Sequence, residues 1–206
     1  MTNRLILGSA SPRRRELLAA LGLSFDVRAS HADEQPDGSS PPQLAETLAL
    51  RKARAVAEAE ASDAAVLGAD TIVVLDGALL GKPLDEDEAA SMLRSLRGRE
   101  HQVVTGVAVV AGGRSAVEHV VSHVTMREYS DDEIAAYVAS GSPFDKAGAY
   151  AIQDADFAPV AQLDGCECSV IGLPLWTTAR LLREIATIEA QRPSYERCAD
   201  CPDREK

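Results

Sequence analysis

Gln102-Val103-Val104-Thr105-Gly106-Val107-Ala108-Val109-Val110-Ala111, followed by Gly112-Gly113 and the run from Ala116 to Met126, decides the fold class. Two long β-rich stretches joined by a pair of glycines predict an antiparallel hairpin. Upstream the pattern is different. Arg4 to Gly8 reads as a short buried strand, Pro12 to Leu21 as a helix and Ser24 to Arg28 as a second strand. Ser30 to Pro42 is a polar loop, and Gln43 to Ala61 carries apolar residues at helical spacing. Ala64 to Leu75 is an extended apolar run that turns at Asp76-Gly77 into Ala78-Leu79-Leu80. Alternating strands and helices interrupted by a long hairpin predict an α/β protein with a mixed sheet.

Further helices are expected over Asp85 to Leu96, Asp131 to Ser140 (with Ser130 as N-cap) and Leu175 to Ala190 after Pro174. The expected division is one domain over residues 1–190 and a loose polar tail over residues 191–206. The chain has 206 residues, 46% hydrophobic and 26% charged, with only 4% aromatic, so Val, Leu, Ile and Ala must make the core. A formal charge of −11 argues against non-specific binding to nucleic acid or anionic membrane. No apolar run approaches a membrane span, and a cytoplasmic location is expected.

Four stretches carry chemistry. In Ser9-Ala10-Ser11-Pro12-Arg13-Arg14-Arg15, Ser11 and Pro12 mark a helix start whose first turn is basic. Arginines at the positive end of a helix dipole are disfavoured unless an anion neutralises both, which points to a polyphosphate. On that reading, removing Arg13 or Arg14 leaves the ligand-free fold as stable or slightly more so. Asp70, in Gly68-Ala69-Asp70-Thr71, breaks a run that otherwise reads as buried. A carboxylate there is a metal ligand, a general base, or the partner of a lysine or a turn. Lys82 sits between Gly81 and Pro83 in a turn suited to a phosphate oxygen. Phe144-Asp145-Lys146-Ala147-Gly148-Ala149-Tyr150-Ala151-Ile152-Gln153 puts a charged pair beside small residues, then a short strand ending at Gln153, whose amide suits a base edge. There is no Walker A loop, no G-x-S-x-G elbow and no histidine pair at metal-binding spacing; His31, His101, His119 and His123 read as structural.

Taken together and in this order, these stretches resemble the Maf family of septum-formation-inhibitor-like nucleotide pyrophosphatases, from residue 4 to about 185. The resemblance implies an elongated mixed sheet flanked by helices, with two lobes around a cleft, similar to inosine-triphosphate pyrophosphatases. It implies hydrolysis of a nucleoside triphosphate to monophosphate and pyrophosphate, assisted by a divalent cation, Mg²⁺ or Mn²⁺. Asp70 then matches the catalytic carboxylate and Lys82 a phosphate-contacting lysine. Ser9, Arg13, Arg14, Lys52, Thr71 and Gln153 match substrate-binding positions, and Glu34 with Asp70 a metal pair. Arg13, Thr71 and Gln153 resemble the branch that acts on dTTP and UTP. The resemblance also suggests a homodimer. The alternative is a regulator of cell division that binds nucleotide without turnover. Cys198-Ala199-Asp200-Cys201 lies outside the family pattern. C-x-x-C binds zinc or serves redox exchange, but a four-cysteine site would need Cys166 and Cys168 to meet it; otherwise these are mobile thiols.

Overall fold

The computed structural model describes residues 4–60, 63–199 and 201–205. Met1 to Asn3, Ala61, Ser62, Asp200 and Lys206 lie outside the described residues. A single mixed sheet runs through the molecule. Strands β1 (Leu5–Leu7) and β2 (Asp26–Val27) are joined through helix α1 (Pro12–Ala19), and β3 (Ala65–Leu75) follows helix α2 (Pro41–Glu60). After β4 (Ala78–Leu80) and α3 (Glu86–Leu96), β5 (Glu100–Ala111) and β6 (Arg114–Met126) form the expected hairpin. Helix α4 (Asp131–Ala139), strand β7 (Val160–Asp164) and helices α5 (Glu167–Ile171) and α6 (Leu175–Leu181) complete it.

The strand order is β2-β1-β3-β5-β6-β7, with β4 beside β3. β1 pairs parallel with β2 and β3; the rest is antiparallel. The mixed sheet read from the sequence is present, and its hairpin turn is Gly112-Gly113 at φ 56° and 77°, the left-handed region glycine favours. No helix among the described residues is long and apolar enough to cross a membrane.

Strand alternation distributes the core. Along β3, Leu67, Ala69, Val73 and Leu75 face one side, and Val66, Ile72 and Val74 face the other, under α2. Each face holds two apolar clusters, one toward either end of the strand. The break between them falls at one level: Thr71 and its cross-strand partner Thr105 on the first face, Asp70 and its partner Gly106 on the second. Helix α2 lies close on that second face because Gly68 and Gly106 have no side chains. A Cβ on either would run into a backbone carbonyl of α2, that of Ala49 or Ala45. Leu44, Leu48 and Val56 on its underside are buried, each contributing roughly 1.5–3 kcal/mol.

Four expectations need correction. The last helix is α-helical only to Leu181. A π-turn, Leu182–Ala186, follows, and Thr187 ends it at φ 56°. Apolar residues continue to Ala190 because the chain still packs on the core, with Ile188 buried, although it is no longer helical. Tyr150 to Gln153 is not a strand: two 3₁₀ turns, Ser142–Asp145 and Ala147–Ala149, lead into it, with Gly148 and Ala149 at positive φ. β7 and α5 were not expected, being too short to show a period. Finally, the stretch after Gln191 is not loose. Ser194 N–H donates to the Ala20 carbonyl and Gln191 N–H to that of Leu21, while Cys198 and Cys201 are buried.

Candidate active site

The edge of β3 forms the centre of a cleft of about 630 Å³. On one side β3 is paired with β5 continuously from Val66 to Val74. On the other, β1 pairs only as far as Leu67 and β4 begins only at Val73. Among the described residues no strand covers residues 68–72 on that side. The cleft opens there, so side chains from both faces of the sheet reach it around the edge.

On the α2 face stands Asp70, 8% exposed. Burying a carboxylate costs several kcal/mol unless it is paired. The partner is Lys52 of α2, itself buried, whose Nζ lies 2.6 Å from Asp70 Oδ1 and 2.9 Å from Glu34 Oε1. One ammonium therefore holds a carboxylate from the sheet and another from the loop before α2. Desolvation acts to raise the Glu34 carboxyl, but the bond and charge of Lys52, then the charges of Lys82 and Arg14, outweigh it and hold it below its ordinary value.

On the opposite face Thr71 Oγ1 lies 3.0 Å from Thr105 Oγ1, and Thr105 donates to the Ser169 carbonyl at 2.7 Å. Arg14 reaches in from α1. Its Nε donates to the Gly172 carbonyl (2.9 Å), Nη1 to Ser9 Oγ (3.3 Å) and Nη2 to Thr71 Oγ1 (3.2 Å). Ser11 caps α1 as expected, accepting from Arg14 N–H at 3.4 Å. The two arginines thus part company. Arg14 joins α1, β3 and the loop after α5, so its loss should weaken the ligand-free fold, contrary to the charge–dipole expectation. Arg13 points across the cleft, with Nη1 2.6 Å from Asp145 Oδ2.

Asp145 also accepts from Lys146 Nζ at 2.5 Å. Desolvation acts to raise its carboxyl, but the bonds from Lys146 and Arg13 prevail and hold it low. Sequence reasoning quoted this charged pair without assigning it a place; its adjacency to small residues was the available signal. It also passed over Thr105, which looks like any strand threonine until the register sets it against Thr71. Lys82 is exposed and makes no side-chain hydrogen bond or ion pair among the described residues. Gln153, exposed, stands on the wall with Tyr150 and Ile152. Ser9, Arg13, Arg14, Glu34, Lys52, Asp70, Thr71, Lys82 and Gln153 all line this one cleft.

Behind the wall, His101 Nε2 lies 2.7 Å from the Tyr150 hydroxyl, and Nδ1 has no partner among the described residues. Burial pushes the His101 pKa down to about 4, so the ring is neutral near pH 7.

Five cations (Arg13, Arg14, Lys52, Lys82, Lys146) face three carboxylates (Glu34, Asp70, Asp145) across the cleft, in a chain of formal charge −11. A small polyanion therefore finds a local attraction that the rest of the surface denies it. The Glu34 and Asp70 oxygens, gathered on one cation, are the hard donors that Mg²⁺ or Mn²⁺ prefers, and they could hold one.

A dTTP/UTP pyrophosphatase from Thermomicrobium roseum is 49% identical over 203 residues, covering 96% of this chain and 93% of the relative. One from Moorella thermoacetica is 52% identical over 183 residues, 87% of this chain and 94% of the relative. Among solved structures, the Staphylococcus aureus Ham1 protein overlaps 60% of this chain and 71% of its own, with 16% identity and a TM-score of 0.44. The Maf-like protein family model matches residues 4–185, and this chain belongs to that family.

Proposed function

We propose that this protein hydrolyses nucleoside triphosphates, dTTP and UTP foremost, to the monophosphate and pyrophosphate. One observation carries the reading: a buried carboxylate, Asp70, shares the Lys52 ammonium with Glu34 at the open edge of β3, beside lysines and arginines that no core requires. A protein that only bound nucleotide would have no use for a costly buried acid among its phosphate contacts. Water attacks the α-phosphorus, the α–β bridging bond breaks and pyrophosphate leaves with the electron pair. Asp70 orients the water and takes its proton; Lys82, Arg13 and Lys146 bind the phosphate oxygens; Gln153 reads the base edge. A divalent cation held by Glu34 and Asp70 would supply charge stabilisation to the phosphates. The relatives named dTTP/UTP pyrophosphatase support the substrate class. A cytoplasmic homodimer belongs to the same proposal.

The test is pyrophosphate release from a panel of triphosphates with Mg²⁺ or Mn²⁺, for the wild type and Asp70→Asn. Pyrophosphate from dTTP and UTP, lost in the variant by about 10²–10⁴-fold, is expected. Tight nucleotide binding without pyrophosphate release would favour the regulator instead.

A further inference from the structure

The four cysteines, separated in sequence as Cys166/Cys168 and Cys198/Cys201, converge. All are buried, at 7% exposure or less. Cys168 Sγ lies 3.0 Å from Cys198 Sγ. Cys166 Sγ, Cys201 Sγ and an Asp203 carboxylate oxygen all lie within 4.8 Å of one another. Two close sulfur pairs, Cys168–Cys198 and Cys166–Cys201, thus start from cysteines two residues apart and join the segment after β7 to residues 198–203.

We propose that Cys166, Cys168, Cys198 and Cys201 form a tetrahedral zinc site that fastens the C-terminal segment onto the wall of the cleft.

Two observations favour a metal over two disulfides. First, an Asp203 carboxylate oxygen lies with the Cys166 and Cys201 sulfurs within 4.8 Å, a donor that a disulfide has no use for and a cation does. Second, backbone N–H groups point at sulfur: Ser169 N donates to Cys166 Sγ at 3.4 Å, and Asp203 N–H donates to Cys201. Such donors stabilise a thiolate, the form that binds zinc. A divalent cation lets all four release their protons to solvent and bind.

The consequence reaches the active site. The Cys168 carbonyl accepts from Gly172 N–H (3.0 Å), and the Gly172 carbonyl accepts from Arg14. The Ser169 carbonyl accepts from Thr105. The strap itself is tied down at Glu167, which accepts from Tyr195 (3.0 Å) and Arg197 (2.5 Å), and Trp176 Nε1 donates to the Cys198 carbonyl (3.0 Å).

The full chain, purified under reducing conditions, should carry zinc in equimolar amount after gel filtration. Cobalt exchanged into it should show thiolate-to-metal charge-transfer bands and the strong visible bands of a tetrahedral site, which an oxygen-lined Mg²⁺ site cannot give. Cys198→Ser and Cys201→Ser should each bind zinc at least an order of magnitude more weakly, and Asp70→Asn should keep it. If the serine variants fail to fold, wild-type protein stripped by a chelator serves instead, and its thermal midpoint should fall and recover with zinc. Absence of zinc together with failure to bind added zinc or cobalt, or intact disulfides in the native protein by mass, would overturn the site. So would zinc retained undiminished by both serine variants.

Discussion

Arg14 Nε donates to the Gly172 carbonyl at 2.9 Å, linking the first helix to a loop 158 residues later. Among the described residues no other charged side chain in the cleft joins parts of the chain so far apart while also touching β3. Arg14 is therefore a brace, whereas Arg13, one residue before it, spans the cleft to Asp145 and holds no element of the core in place.

Their alanine variants should diverge. Arg14→Ala loses three side-chain hydrogen bonds and should lower ligand-free stability by about 1–3 kcal/mol; Lys should not restore the planar fork. Arg13→Ala should leave the thermal midpoint nearly unchanged and raise KM for dTTP roughly 10–100-fold, the value of a charge-assisted contact. Thermal melts and steady-state kinetics on both variants decide it; equal losses of stability would refute the division.

Lys52→Met should cost about 3–5 kcal/mol, because it leaves Asp70 buried without its cation. Adding Asp70→Asn should recover much of that stability while turnover stays lost. Urea unfolding of the two single variants and the double variant measures the coupling. Simple additivity would mean that the two groups do not depend on each other.

Gly106→Ala should drive α2 off the sheet, since its Cβ meets the Ala45 backbone. Overpacking of this kind costs about 1–3 kcal/mol or more. Because α2 carries Lys52, turnover should fall as well. Gly81→Ala, with open space around the new Cβ and no positive φ, should change stability by less than about 0.5 kcal/mol. Matching melts for both would contradict the close approach.

Acid should loosen the cleft wall through His101. Its pKa falls from 6.5 unfolded to about 4 in the fold, so the unfolded chain binds the proton first as pH drops. Stability tied to the neutral ring is complete above pH 6.5 and is lost as pH falls toward 4, roughly 3 kcal/mol at most. Unfolding followed across that window should show a steeper slope for wild type than for His101→Gln. Equal slopes would remove His101 from the account.

Much of this was legible before the structure. The hairpin announced itself because Gly112-Gly113 separates two long β-rich runs, and Ser130 announced α4 as its N-cap; the structure adds Glu133 as the reciprocal partner. Asp70 stood out as an acid in an apolar strand. Its partner Lys52 came only from resemblance, because which helical residue faces a given strand position depends on how α2 crosses the sheet. Thr105 was hidden for the same reason, since register is not written in local pattern. The chain end misled most: polar composition predicts solvation, yet Tyr195, Cys198 and Cys201 supply enough burial, with a few hydrogen bonds, to fix it.

Asp70 and Thr71 are neighbours in sequence but answer to different sides of one strand. Repacking beneath α2 can shift the carboxylate without disturbing the hydroxyl, and changes around Arg14 can do the reverse. Selection therefore has two separate controls on one cleft, and substitutions on one side of the sheet can reshape the surroundings of Thr71 while those of Asp70 stay in place.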